Sequence, residues 1–206
     1  MKLSIIISTY NSEEWLHKVL LGYAIQSEKD FEVVVADDGS THKTNDVIDS
    51  FKDKFQHPIL HVWHEDKGFR KCRILNSAIL TSHSDYLLFT DGDCIPRKDF
   101  VANHLKEKEP GFFLSGGYFK LPMTISKAIS DDDILIQKCY PRYFCLTIEH
   151  LFLFCENLIR LGKFESAKQK FSELKETIRR FFIFGDSNPF EEDLKCLEAK
   201  VSDLTV

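Results

Sequence analysis

This sequence predicts an α/β fold, a mainly parallel sheet flanked by helices, followed by a C-terminal helical appendage. Three observations carry that prediction. Short apolar runs at residues 3–8, 31–36, 59–63 and 85–90 are rich in Val, Ile, Leu or Phe, as strands buried on both faces are. Between them, apolar residues recur at three- and four-residue steps, so strands and helices alternate as in βαβ units. Three of the runs end in polar residues, Thr9-Tyr10-Asn11, Asp37-Asp38-Gly39-Ser40 and Asp91-Gly92-Asp93, which puts one site along the carboxyl edge of the sheet.

The elements follow in order. Leu3 to Ser8 is the first strand. Ser12 is placed to cap a helix through Trp15, Leu16, Val19 and Leu20, with Glu13 and Glu14 in the first turn where the helix dipole favours acids. Phe31 to Ala36 is the second strand, and Val47, Ile48, Phe51 and Phe55 pattern a helix over 44–55. After the strand at 59–63, Ile74, Leu75, Ala78 and Ile79 pattern a helix over 70–80. Beyond the strand at 85–90, residues 96–110 read as a helix opened by Pro96 and ended by Pro110-Gly111. Phe112 to Phe119 reads as one more strand, and Asp131-Asp132-Asp133 as a solvated helix start.

From residue 138 the character changes. Half of the 18 phenylalanines and four of the six cysteines lie in that last third, and acids and bases balance there. The pattern is helical throughout, at 144–161, 164–182 and 190–204, with Leu161-Gly162-Lys163-Phe164 as a helix–turn–helix corner. The boundary therefore falls at 1–137 and 138–206. A net charge of −5 argues against a general nucleic-acid binder. The first strand is too short for a signal peptide and no run reaches the ~20 apolar residues of a membrane span. A cytoplasmic protein with reduced thiols is expected, and no Cys-x-x-Cys pair suggests zinc.

Chemistry concentrates in three places. Asp91 and Asp93, two residues apart past a buried strand, offer hard oxygens to magnesium or manganese; the alternative is a pair of capping aspartates. The intervening Gly92 is expected to keep the backbone open for a ligand. Asp37 and Asp38 either accept hydrogen bonds from a ribose or base, or form an Asx-turn with Ser40 or Thr41 capping the next helix. The basic run around Lys67, Arg70, Lys71 and Arg73 opens a helix after Gly68, as a phosphate clamp or a solvated face. Those four cannot all face one ligand, but Arg70 and Arg73, one turn apart, can.

Ile5-Ile-Ile-Ser-Thr-Tyr-Asn11, Val33-Val-Val-Ala-Asp-Asp-Gly-Ser40, Gly68-Phe69-Arg70 with Asn76, and Asp85-Tyr-Leu-Leu-Phe-Thr-Asp-Gly-Asp93 together resemble the inverting family 2 glycosyltransferases with the GT-A fold. The resemblance covers about residues 1–130 and is strongest to bacterial members that build surface polysaccharide. It implies a GT-A, Rossmann-like nucleotide-sugar-binding domain over 1–137. It implies that Thr9 and Tyr10 line the nucleotide pocket, that Asp38 binds the base with Asp37 nearby, that Arg70 and Arg73 contact the donor, and that Asp91 and Asp93 form a DxD motif holding donor and metal. The reaction implied is metal-assisted, hexosyltransferase-type transfer from a nucleotide-diphosphate sugar, most often a UDP-sugar, to a glycan or lipid-linked acceptor with inversion. It would take place in the cytoplasm or at the inner face of the membrane, with peripheral membrane association and oligomeric state left open.

The family's acceptor half carries an acidic general base. Past residue 137 this chain does not follow that half, and Glu192 and Asp193 are the nearest candidates. A helix N-terminal acidic turn explains them equally. Two readings stay open, a compact transferase and a nucleotide-sugar-binding or interaction module without its base.

Overall fold

The computed structural model describes residues 1–116, 121–137, 155–181 and 191–202, and the side chains of all of these but 176–181 and 191–194. Two compact units emerge, Met1–Ser115 with Ser130–Gln137, and Gly116–Ile129 with Lys138–Val206.

The first unit holds four parallel strands, β1 (Leu3–Thr9), β2 (Phe31–Asp37), β3 (Ile59–Trp63) and β4 (Leu87–Asp91), in the order β3-β2-β1-β4. This is the mainly parallel, helix-flanked arrangement expected. Every residue of β1 and β2 is buried, which explains their unbroken runs of Ile and Val. Helices α1 (Glu13–Ala24) and α2 (His42–Asp49) connect β1 to β2 and β2 to β3; α3 (Lys71–Thr81) returns the chain to β4 on the other side of β1. Moving outward and then back obliges right-handed crossovers to place α1 and α3 on opposite faces. Ile74 and Ala78 of α3 pack on Ile6, Val34 and Ala36, while Leu16, Val19, Leu20 and Tyr23 make the buried stripe of α1.

Several local expectations need correction. Ser12 sits at the N-cap of α1 but makes no capping bond; its hydroxyl donates to the Tyr10 carbonyl at 2.9 Å. The helix expected over 44–55 stops at Asp49 and resumes as one 3₁₀ turn, Lys52–Lys54. Ser50 back-bonds to the Val47 carbonyl there, a competitor to the helical ladder, and Phe51 is still fully buried. Pro96 does not open a helix; α4 is Phe100–Glu107. Pro96 instead packs on α1, where a Cβ on Gly22 would lie 2.7 Å from its Cδ. Gln26 ties the same turn down, accepting from the Val101 amide at 2.9 Å and donating to the Arg97 carbonyl at 2.6 Å.

Residues 112–116 of the expected fifth strand are not strand, and Phe112 and Phe113 are exposed; 117–119 lie outside the described residues. An apolar run without a sheet neighbour has nothing to pair with. Asp131–Asp133 do open a helix, α6 (Asp131–Leu135), with Ser130 and Asp133 forming a reciprocal capping box. Asp131 also meets His17 of α1 at 2.9 Å.

In the second unit, α5 spans Met123–Ala128, residues 155–160 are helical (α7), and α8 (Phe164–Phe181) and α9 (Glu191–Ser202) follow. The corner between α7 and α8 is a Schellman turn. Gly162 sits at φ 69°, its amide bonds the Ile159 carbonyl, and the Lys163 amide bonds the Leu158 carbonyl. Ala167, Phe171 and Leu174 form the buried stripe of α8, and Leu197 and Val201 that of α9. Among the described residues no helix is long and apolar enough to cross a membrane.

Candidate functional site at the sheet edge

The strand order reverses between β1 and β4, and a parallel α/β sheet opens its ligand crevice at such a point, beyond the carboxyl ends. β1 ends between the two acidic turns. Thr9 is in register with Asp37, and Ser8 with Asp91. The turns are thus two strand spacings, about 10 Å, apart across β1.

The β2 turn is closed and fully bonded. Asp37 is buried, accepting from the Ser40 amide at 2.8 Å and from His61 Nε2 at 3.0 Å. Burial alone would raise its carboxyl, but the bonds from His61 and Ser40 outweigh that and hold it below the usual carboxylate range. Asp37 therefore bonds the amide three residues on and shapes the turn from within. Thr41 is the N-cap of α2 without a side-chain bond. Asp38 accepts from His64 Nε2 at 2.7 Å and from the Arg70 amide at 2.9 Å, while its own amide donates to the Thr9 carbonyl at 3.0 Å.

Two further contacts lock this side. Asn11, in the left-handed region at φ 44°, donates its amide to Ser40 Oγ and accepts from the Thr41 amide. Gly39, at φ 103°, lies so close to the following loop that a Cβ would come 2.7 Å from Asp66 Cα. Asp66 in turn accepts from Tyr10 Oη at 2.9 Å.

The β4 turn is open. Asp91, 59% exposed, accepts from Ser8 Oγ at 2.8 Å and from Lys71 Nζ at 2.5 Å on the same oxygen, Oδ1. The Lys71 ammonium, with the Ser8 hydroxyl, holds its carboxyl low against the upward pull of partial burial. Asp93 is exposed beside Cys94, whose thiol burial pushes up to about 11. Contrary to the expectation from sequence, Gly92 does not leave the backbone free for a ligand. A Cβ there would come 2.8 Å from the Ser8 carbonyl oxygen, which the Gly92 amide bonds at the same distance. Below the turn, an open depression of about 320 Å³ is lined by Ser8, Lys71, Leu75, Phe89, Thr90 and Asp91.

Arg70 is the N-cap of α3 and donates from its guanidinium to the Glu65 carbonyl; Arg73 is exposed on the first turn. Arg70 Nε and Thr9 Oγ1 are buried without a hydrogen-bond partner among the described residues. Glu192 and Asp193 fall in the first turn of α9, and their side chains lie outside the described residues.

No group of three or more His, Cys, Asp or Glu side chains is placed for a cation among the described residues. Asp91 and Asp93 supply two hard carboxylates on an open turn. That donor set fits a divalent ion that completes its shell with phosphate oxygens and water, as magnesium commonly does. Sequence reasoning missed Ser8, His61, His64 and the part played by Lys71, because each acts across strands far apart in the chain.

A parallel sheet with buried carboxylates on one side of β1 and open ones on the other is an α/β domain whose carboxyl edge is where such sheets open their ligand crevice. The chain belongs to glycosyl transferase family 2, whose model matches residues 4–117. It is 37% identical over 123 residues to an uncharacterized glycosyltransferase, YfnE, of Bacillus subtilis, covering 58% of this chain and 31% of that one. It is 36% identical over 105 residues to validoxylamine A glucosyltransferase of Streptomyces hygroscopicus, covering 50% and 23%. The crystal structure of S. aureus TarS 1–349 with UDP-GlcNAc is 29% identical, with a TM-score of 0.45 over 52% of this chain and 30% of that one. The chain thus spans about a third or less of the length of these relatives.

Proposed function

We propose that this chain binds a nucleotide-diphosphate sugar across β1 and transfers its hexosyl group, with inversion, to a glycan or lipid-linked acceptor. The observation that carries the reading is the pair of acidic turns flanking the switch point, inside a family 2 match. Asp38, held on both oxygens, presents a fixed carboxylate to the N–H edge of a base, uracil in the first instance. Tyr10 and Thr9 line the nucleoside site, and Arg70 and Arg73 meet the donor from α3. Asp91 and Asp93 hold the divalent cation, magnesium or manganese, which neutralises the diphosphate leaving group when bound. The name of the Streptomyces relative supports a hexosyl donor. The place of action in this reading is the cytoplasm.

Inversion needs a general base against the acceptor hydroxyl, and Glu192 or Asp193 takes that role here. A second reading has its own support, since the family match ends at residue 117, well before both. In that reading the chain binds donor and lacks a base. The test is UDP release from UDP-glucose or UDP-N-acetylglucosamine with a saccharide acceptor, comparing wild type with Glu192→Gln and Asp193→Asn. The transferase reading expects one variant to lose about 10²–10⁴ in rate, the usual worth of such a base. Donor binding with no release in the wild type, or release untouched by either change, contradicts the assignment of the base.

A further inference from the structure

Lys71 is the first residue of α3, next to the Arg70 whose amide holds Asp38. Its ammonium reaches away from that side, across the switch point, to Asp91 Oδ1. Lys71 and Asp91 are 37% and 59% exposed, so the pair is open to solvent and of the weak, exchangeable kind. The oxygen it occupies also takes the Ser8 hydroxyl, and it belongs to one of only two carboxylates on the turn. A divalent ion and Lys71 therefore compete for the same charge.

We propose that Lys71 is an exchangeable internal cation of the donor site, paired with Asp91 in the donor-free protein and with a diphosphate oxygen once a divalent ion takes Asp91. This rests on the nucleotide-diphosphate reading of the edge. Three features suit Lys71 to both partners. A lysine carries a point charge on a flexible four-carbon stem, so it needs no fixed fork geometry. It stands in the first turn of an eleven-residue helix, where amides and dipole already favour an anion. It lines the depression that opens beside Asp91, Ser8 and Thr90. Exchange has a thermodynamic consequence. Lys71 weakens metal binding to the nucleotide-free chain and strengthens nucleotide binding to the metal-loaded chain, so it couples the two ligands.

The opposite signs make the role testable without turnover. Manganese binding to the nucleotide-free full chain is followed by loss of the free-ion electron paramagnetic resonance signal. UDP binding at saturating manganese is followed by calorimetry. Lys71→Met is expected to bind manganese about fivefold more tightly and UDP about fivefold more weakly, the scale of one open ion pair. Lys71→Arg is expected to stay near wild type in both. If UDP binds the wild type while Lys71→Met leaves both constants unchanged, or weakens both, the exchange is overturned and the nucleotide site stands. If the wild type binds no UDP with manganese, the site itself is overturned and this role with it.

Discussion

The two acidic turns lie on the same edge, one strand on either side of β1, yet they are built in opposite ways. Asp37 and Asp38 are buried, and their carboxylate oxygens are met by Ser40, His61, His64 and the Arg70 amide. Asp91 and Asp93 are exposed, and among the described residues Asp91 is met on one oxygen, Oδ1, by Ser8 and Lys71. One turn is fixed before any ligand arrives, which suits orientation of a base; the other keeps charge available, which suits a cation and a phosphate. Motif spelling alone does not separate them, since both read as acid pairs after apolar strands.

The comparison is broken most directly by stability. Asp37→Ala strips the partner from the Ser40 amide and from His61, and is expected to cost on the order of 3 kcal/mol in urea unfolding. Asp93→Ala is expected to stay within about 0.5 kcal/mol. Equal costs would erase the distinction between the turns. The same carboxyl gives a pH signature. Asp37 titrates below an unfolded aspartate, whose value is about 3.9, so its contribution is whole above that pH and fades as pH falls through the lower folded value. Wild-type stability should therefore drop more steeply below about pH 4 than that of Asp37→Asn. A parallel drop would mean that the bonds to Asp37 contribute nothing.

A smaller effect sharpens the same contrast through glycine. Gly39 combines a positive φ with a backbone neighbour in the space of its missing Cβ, whereas Gly68 has a positive φ and nothing nearby. Gly39→Ala is expected to cost about 2 kcal/mol or more, and Gly68→Ala about 1 kcal/mol. Thermal unfolding of the pair would show whether closure of the Asp38 side depends on that contact with Asp66.

Much of this was legible in the sequence, for a physical reason. Strands buried on both faces must be apolar throughout, so β1 and β2 announce themselves, and their polar ends mark the edge. Asp37 and Asp91 close β2 and β4, at the ends of the apolar runs that predict those strands. The edge chemistry was less legible. Lys71 lies in a basic run whose members look alike until α3 starts beside the end of β4, and His61 and His64 read as ordinary strand and loop residues. Phe112 and Phe113 show the reverse error, an apolar pair that suggests a strand and has none in 112–116, with Phe113 left 88% exposed. Periodicity records what a side chain prefers, and pairing depends on whether a neighbouring strand is there.

The most direct measurement is calorimetric titration of UDP into the wild-type chain and into Asp93→Ala, each with manganese and then with EDTA. UDP binding to the wild type that strengthens with manganese, and loses that gain in a folded Asp93→Ala, is the expected result. UDP affinity that is the same with manganese and EDTA in both proteins, or no binding at all, would contradict a nucleotide-diphosphate site divided between the closed turn and the open one.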